Sequence, residues 1–149
     1  MDPPRVVLDT HAWLDLYVFA DPRVEPLARA LDEGRVVAPM DPRMRDELLR
    51  VLAYPAFALG ESRRDAIAAH VASRALAVPM PAARPGLPRC RDPDDRMFVE
   101  VAVAHGAAAL LTRDGELLRL ASRLRRLGTT VVTPADWCAA SSRRAPAPP

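Results

Sequence analysis

Lysine, asparagine and glutamine are absent from this chain of 149 residues, and cysteine and aromatic residues are scarce. All 21 basic residues are therefore arginines, and against 19 acidic residues they leave a net charge of only +2. This near balance argues against a nucleic-acid-binding module that works through bulk positive charge alone. Since arginine binds phosphate in a bidentate manner, any contact with a nucleic acid has to be made by arginines.

Other absences narrow the class of protein further. Cys90 and Cys138 provide neither a disulfide framework nor the spacing of metal ligands. No apolar run reaches the roughly 18 residues of a membrane-spanning helix, and no signal peptide is visible. Half of the residues are hydrophobic, which favours a packed core. We expect a cytoplasmic protein with one folded domain over residues 1–140 and a disordered, basic, proline-rich tail over residues 141–149.

Short apolar runs alternate with amphipathic stretches along the chain. The runs predict buried strands at residues 5–8, 35–38, 109–111 and 131–132. Six helices are expected between them. Three begin at the aspartate–proline pairs 21–22, 41–42 and 92–93, and three others cover residues 61–77, 116–127 and 134–139. A proline-rich loop is expected over residues 79–91. This alternation is typical of an α/β sandwich around a mainly parallel sheet.

Two aspartates follow predicted strands, at the edge where open parallel sheets carry their functional crevice. Asp9 comes directly after the first strand, and Asp114 follows the strand at 109–111 by three residues. Either residue alone is equally well explained as the cap of the next helix. Asp9 is harder to explain in this way, because Thr10 and His11 separate it from the apolar stretch.

Two helices each offer a choice between adjacent acids. At about 100° per residue, Asp46 lies opposite the apolar stripe of its helix, whereas Glu47 lies at the edge of that stripe and can face a cleft. A solvated position on the helix flank remains the alternative for Glu47. Near residue 92, Asp92 suits a helix cap, and Asp94 and Asp95 both suit the first turn through the helix dipole. Helix periodicity does not choose between Asp94 and Asp95.

The carboxylates of Asp9, Glu47, Asp95 and Asp114 could converge at one edge of the sheet. Carboxylates at close range repel one another and become partly protonated unless a cation neutralises them. Oxygen ligands favour hard cations such as Mg²⁺ or Mn²⁺. Since such a metal activates water and stabilises charge on a phosphodiester, the pattern predicts a nuclease-like or phosphatase-like site.

Four segments, in this order, resemble the PIN-domain family. They are Val-Val-Leu-Asp-Thr-His (6–11), Arg-Asp-Glu-Leu-Leu-Arg-Val-Leu (45–52), Cys-Arg-Asp-Pro-Asp-Asp-Arg-Met-Phe (90–98) and Leu-Leu-Thr-Arg-Asp-Gly-Glu-Leu-Leu (110–118). The resemblance covers about residues 5–137 and is greatest to VapC-like toxins of bacterial toxin–antitoxin systems. It implies that residues 1–140 form a PIN-like three-layer α/β/α sandwich with nuclease activity.

The resemblance also implies roles for individual residues. The acidic quartet of the family falls on Asp9, Glu47, Asp95 and Asp114, with Thr112 as a hydroxyl beside the site. Beyond the resemblance, Asp92 and His11 are candidate supporting residues, and Asp15 is a candidate partner of an arginine. Arg45, Arg91 and Arg113 are candidate RNA contacts, with a solvated surface position as the alternative for each of them. Many relatives have asparagine at the position of His11, and a helix-start residue without a special role is the alternative there.

The function implied by the resemblance is that of a Mg²⁺- or Mn²⁺-dependent endoribonuclease. Such enzymes are usually held inactive by a cognate antitoxin and are often homodimers. One alternative is a catalytically silent PIN fold that binds RNA or regulates another protein. Another is a phosphotransferase with Asp9 as its nucleophile. The latter is disfavoured, because that chemistry commonly uses a second aspartate two residues on and a lysine, and this chain has His11 and no lysine.

Overall fold

The computed structural model describes residues 2–144, and parallel strands form its centre. The strands are β1 (Val6–Leu8), β2 (Ala38–Met40), β3 (Ala75–Ala77), β4 (Ala109–Leu111) and β5 (Thr130–Val132). Parallel ladders pair β1 with β4, β4 with β5, and β2 with β3. The two sheets meet at Val37, whose N–H donates to the Pro4 carbonyl and whose carbonyl accepts from Val6 N–H at 2.8 Å. The strand order is therefore β3-β2-β1-β4-β5.

Helices connect these strands and cover both faces of the sheet. They are α1 (Thr10–Tyr17), α2 (Glu25–Asp32), α3 (Pro42–Leu52), α4 (Glu61–Arg74), α5 (Arg96–Ala104), α6 (Gly115–Leu118), α7 (Ala121–Arg126) and α8 (Pro134–Arg144). Every residue of β1 and β4 is buried, and successive side chains of a strand point to opposite faces. Both faces are therefore covered, which confirms the predicted three-layer α/β/α sandwich around a parallel sheet. No helix within residues 2–144 has the length and apolar character needed to cross a membrane.

The structure corrects several predicted boundaries in the first half of the chain. The second strand is Ala38–Met40 instead of residues 35–38, because Arg35 and Val36 donate their N–H groups to the Ala30 carbonyl and complete the end of α2. The helix predicted over 61–77 ends at Arg74, and Ala75–Ala77 form β3. Alanine and leucine favour a helix locally, so the pairing with β2 overrides the local preference.

The second half of the chain also differs from the prediction in two places. Residues 116–127 form two helices, α6 and α7, with a break at Arg119 and Leu120. The last helix extends to Arg144, so the expectation of a disordered tail is wrong for residues 141–144. These residues continue a helix that packs against α2 and the turn at Pro22–Val24, which sequence composition does not reveal. Residues 145–149 of the predicted tail lie outside the described residues.

Candidate active site

A cleft of about 490 Å³ opens beyond the carboxyl ends of β1 and β4. All four predicted acids line it, and each comes from a different element. Asp9 follows β1, Asp114 lies three residues beyond β4, Glu47 lies on α3, and Asp95 lies in the 3-10 turn before α5. The other lining residues are Thr10, His11, Leu14, Val51, Phe98 and Arg113. The fold thus brings together four carboxylates that are up to 105 positions apart in the chain.

Asp9 is both the cap of α1 and a member of the cleft. It is 6% exposed; its Oδ1 accepts from Ala12 N–H at 2.8 Å, and its Oδ2 accepts from the Thr112 hydroxyl at 2.5 Å. Burial raises the pKa of Asp9 to about 6, and the charges of Asp114 and Asp15 add to the rise while the two hydrogen bonds oppose it. The capping role considered from the sequence is therefore real, and it coexists with a position in the cleft.

Thr112 connects Asp9 to the Asp114 turn. Its side chain is fully buried, and its Oγ1 accepts from Asp114 N–H at 2.9 Å while its hydroxyl donates to Asp9. Asp114 in turn caps α6, since its Oδ1 accepts from Glu116 N–H at 2.8 Å, and the residue is exposed at the cleft. Thr112 is thus located beside the site as the resemblance implied, and one hydroxyl determines the spacing of two acids.

The structure distinguishes the adjacent aspartates before α5. Asp95 is half-buried and lines the cleft, whereas Asp94 is exposed and lies outside it. The pKa of Asp95 is raised to about 7. Burial is the largest cause, and the charge and a hydrogen bond of Asp114 and the charges of Asp92 and Glu47 are the smaller ones. Asp92 caps the turn by accepting from Asp94 N–H at 2.9 Å and does not line the cleft. Its contribution to the site is one of charge.

Glu47 faces the cleft from α3, as predicted, while Asp46 is exposed and does not line it. The Thr10 hydroxyl donates to Glu47 Oε2, which orients this carboxylate. Thr10 is a site residue that the sequence interpretation missed as a partner. The available signal was its position directly after Asp9, at the first residue of α1, where a short polar side chain faces the same edge of the sheet.

One predicted arginine lies in the cleft, and it is held by a buried acid. Arg113 Nη2 donates to Asp15 Oδ1 at 2.9 Å and also contacts the ring of His11. The Asp15 side chain is only 5% exposed, so the expected pairing of Asp15 with an arginine is confirmed. Burial, together with the charge of Arg113, lowers the pKa of His11. The guanidinium is therefore anchored beside Asp114, and the ring of His11 forms part of the cleft wall.

The other two predicted RNA contacts do not line the cleft. Arg45 borders a separate cavity of about 400 Å³ between α3 and α4. It precedes Glu47 by two residues, which corresponds to about 200° around the helix, so the two side chains point in nearly opposite directions. Arg91 is exposed, and its Nη1 lies 3.8 Å from Glu116 Oε1. The positive charge inside the cleft therefore comes from Arg113.

The cleft fits a divalent cation in donor chemistry. Four carboxylates provide oxygen ligands of the kind that Mg²⁺ and Mn²⁺ prefer. Burial and the negative charges of Asp114, Asp92 and Glu47 raise the pKa of Asp95, and a bound cation would oppose that rise by favouring the ionised carboxylate. The carboxylates are not preassembled, because no group of three or more His, Cys, Asp or Glu side chains within residues 2–144 is close enough to hold a metal ion.

Comparison with known proteins identifies the family. A family model described as the PIN domain matches residues 5–116, which is more than half of the chain and includes all four acids of the cleft. No curated protein matches the chain. The match also covers β1 to β4 and the helices that surround the cleft. The chain therefore belongs to the PIN-domain family.

Proposed function

We propose that this protein is a divalent-metal-dependent endoribonuclease that hydrolyses phosphodiester bonds of RNA in the cleft. PIN domains are generally nucleases, which supports hydrolysis as the class of reaction. The observation that carries the proposal is the convergence of Asp9, Glu47, Asp95 and Asp114 on one cleft. The raised pKa of Asp9 and of Asp95 supports it, because both carboxyls are in surroundings that an added positive charge would favour.

Each side chain of the cleft has a separate role in the proposed hydrolysis. Asp9, Asp95 and Asp114 would hold Mg²⁺ or Mn²⁺, which when bound supplies a Lewis acid for water and phosphate. Glu47, oriented by Thr10, completes this set or accepts a proton from the attacking water. Arg113, held by Asp15, is positioned to bind a phosphate oxygen of the substrate. Thr112 maintains the spacing between Asp9 and the Asp114 turn.

The sequence continues to disfavour the phosphotransferase alternative, because that chemistry commonly uses a second aspartate two residues on and a lysine, and this chain has His11 and no lysine. Each oxygen of Asp9 accepts one hydrogen bond and keeps a lone pair, so these bonds do not separate a metal ligand from a nucleophile. The silent RNA-binding alternative has one observation in its favour, namely that the carboxylates are not preassembled for a metal. Activity measurements separate it from the proposed nuclease.

The decisive experiment compares RNA cleavage by the wild type, Asp95→Asn and Asp94→Asn. The wild type should cleave RNA with Mg²⁺ or Mn²⁺ and stop when EDTA is added. Asp95→Asn should abolish cleavage, because it removes a carboxylate from the cleft, whereas Asp94→Asn is the matched control on the exposed side and should stay within a few-fold. Cleavage that survives exhaustive chelation would contradict the mechanism. Metal binding without cleavage of any RNA would favour the silent alternative.

We further propose that this ribonuclease is the toxin of a toxin–antitoxin pair and acts in the cytoplasm as a homodimer bound to its antitoxin. The support is the resemblance of the four acidic segments to VapC-like toxins. A toxin role requires a small adjacent reading frame whose product binds this protein. Co-expression of that product should restore growth to cells in which the ribonuclease is toxic, and sedimentation should give the mass of a dimer. Growth that is unaffected by overexpression of the active enzyme would exclude the toxin role.

A further inference from the structure

Aromatic side chains gather on the surface next to the cleft. The chain has three phenylalanines, two tyrosines and two tryptophans. Trp13 and Phe98 are buried in the core, but Phe19 is 48% exposed and Tyr54 is 53% exposed. Phe57, which is half-buried, lies between these two rings. A chain that is poor in aromatic residues thus places three of the seven together in one surface cluster.

The rings form a continuous series, which we call the aromatic row: His11, Phe19, Phe57 and Tyr54. Ring centroids are 5.9 Å apart between His11 and Phe19 and 5.8 Å apart between Phe19 and Phe57. Phe57 and Tyr54 are 6.3 Å apart and nearly parallel, at 5°. The row begins in the cleft, since His11 lines it. Tyr54 follows α3 by two residues, and Val51 of that helix also lines the cleft.

The backbone is strained directly after both phenylalanines of the row. Ala20 follows Phe19 with φ +47°, and Ala58 follows Phe57 with φ +49°. Within residues 2–144 these two alanines are the only non-glycine residues with positive φ. An alanine in this left-handed region is destabilised by contacts of its Cβ that glycine avoids. Such strain clusters at binding and catalytic sites, and here it accompanies two separate turns that present rings to solvent.

We propose that the aromatic row binds unpaired bases of the RNA substrate by stacking, so that the adjoining phosphate enters the cleft. This inference rests on the proposed function. An aromatic face stacks on the face of any base, whereas in a duplex both faces are already covered by neighbouring pairs. The row therefore selects single-stranded segments and loops, with little preference for sequence. Its position beside Arg113 favours a nucleic acid over a protein partner, because the guanidinium that contacts the ring of His11 can bind phosphate.

Binding of labelled RNA in EDTA, where no cleavage is expected, tests this proposal. The probes are a single strand of about 12 nucleotides, its duplex, and an abasic oligomer with the same phosphates. The variants Phe19→Ala and Tyr54→Ala should each raise the Kd for the single strand between about 5-fold and about 150-fold. Tyr54→Phe keeps the ring and should bind as the wild type does. Leu127→Ala removes an exposed apolar side chain outside the row and is the matched control.

The three probes separate stacking from other effects of the substitutions. The wild type should bind the single strand more tightly than the duplex and the abasic oligomer, and the ring variants should bind the abasic oligomer as the wild type does. Circular dichroism checks that each variant is folded. Wild-type binding of the single strand that is no tighter than binding of the abasic oligomer would overturn the proposal. Unchanged RNA binding together with a changed sedimentation mass would identify the row as an interface between copies of the chain and would also overturn it.

Kinetics distinguish a failure of this inference from a failure of the proposed ribonuclease activity. With Mg²⁺, the ring variants should raise KM for single-stranded RNA and leave kcat near the wild-type value, because the rings bind the substrate away from the reacting phosphate. Active enzyme with unchanged Kd and KM in Phe19→Ala and Tyr54→Ala would refute the stacking role and retain the nuclease. Inactive wild type with ring-dependent RNA binding would refute the nuclease and retain the stacking role.

Discussion

Replacing Asp9 by asparagine should stabilise the metal-free protein above neutral pH and destabilise it in acid. Burial raises the pKa of Asp9 to about 6, so the folded state holds this proton more tightly than the unfolded chain does. Ionisation of Asp9 therefore destabilises the folded state. This cost is absent in acid, where the carboxyl is protonated in both states. The cost develops as pH rises from about 4, where the unfolded chain ionises, to about 6. Asparagine has no such cost at any pH.

The size of this effect follows from the pKa and the hydrogen bonds of Asp9. A rise from about 3.9 to about 6 corresponds to about 3 kcal/mol. Asparagine keeps an oxygen that accepts from Ala12 N–H. Its NH₂ group, however, replaces the oxygen that accepts from the buried Thr112 hydroxyl, and the loss of this hydrogen bond costs about 1 kcal/mol. The variant should therefore be more stable than the wild type by about 2 kcal/mol at pH ~8, which for a chain of this size is a rise in Tm of roughly 4–8 °C. Near pH 4 only the lost hydrogen bond remains, so the variant should be less stable by about 1 kcal/mol.

Urea unfolding in EDTA at several pH values measures this change of sign. Asp41→Asn is the matched control: Asp41 follows a strand, is 1% exposed, and caps α3 by accepting from Met44 N–H at 3.1 Å. Unlike Asp9, it has a cationic partner, with Arg43 Nη2 at 2.7 Å from its Oδ2. Its replacement should lower stability by about 1–3 kcal/mol near neutral pH. If Asp9→Asn were destabilised to the same extent as Asp41→Asn, Asp9 would be a structural cap alone, and its assignment as a metal ligand would be wrong.

Two further results are expected, one for activity and one for stability. Cleavage at a low, constant Mg²⁺ concentration should decline as pH falls through the pKa values of Asp95 and Asp9, which are about 7 and about 6. Excess Mg²⁺ should restore cleavage, because protons and the cation compete for the same carboxyls. A decline that Mg²⁺ does not reverse would separate the titration from metal binding. Ala20→Gly should raise the free energy of unfolding by about 0.5–1 kcal/mol, since it relieves the positive φ, whereas Ala66→Gly inside α4 should lower it by a similar amount. Equal losses in both variants under urea unfolding would contradict the strain at Ala20.

Local patterns predict an element correctly where a strong local signal marks it. The strand at Ala109–Leu111 and the helix that begins at Pro42 were predicted where they occur, because a buried apolar run and an aspartate–proline start are local signals. Strand β3 was predicted as helix, since Ala75–Ala77 has no strand character apart from its partner β2. Helix α8 packs against α2, which lies about 100 positions away, and such a contact leaves no local pattern in the sequence.

The site was predictable in part, for the same physical reason. Carboxylates that follow parallel strands meet at one edge of the sheet, so the positions of Asp9 and Asp114 could be anticipated from topology alone. Helix periodicity was sufficient to separate Glu47 from Asp46 but not Asp95 from Asp94, which lie in a 3-10 turn where the 3.6-residue repeat does not apply. The same periodicity places Arg45 about 200° from Glu47, so the separation of Arg45 from the cleft could also be predicted from the sequence. The aromatic row could not, because it depends on contacts between residues that are far apart in sequence.

The capping of α1 does not explain why Asp9 is a buried carboxylate with a raised pKa. The N–H of Ala12 and the hydroxyl of Thr112 both lower its pKa, yet the pKa is raised to about 6, so burial and neighbouring acids outweigh them. A buried cap normally escapes this cost through a cationic partner, as Asp41 does with Arg43. The nearby cation, Arg113, is instead directed to Asp15, and no basic side chain within residues 2–144 forms an ion pair with Asp9. The fold thus maintains an uncompensated carboxylate in a cleft with three others, a state that a cation from solution relieves and that a purely structural cap has no reason to keep.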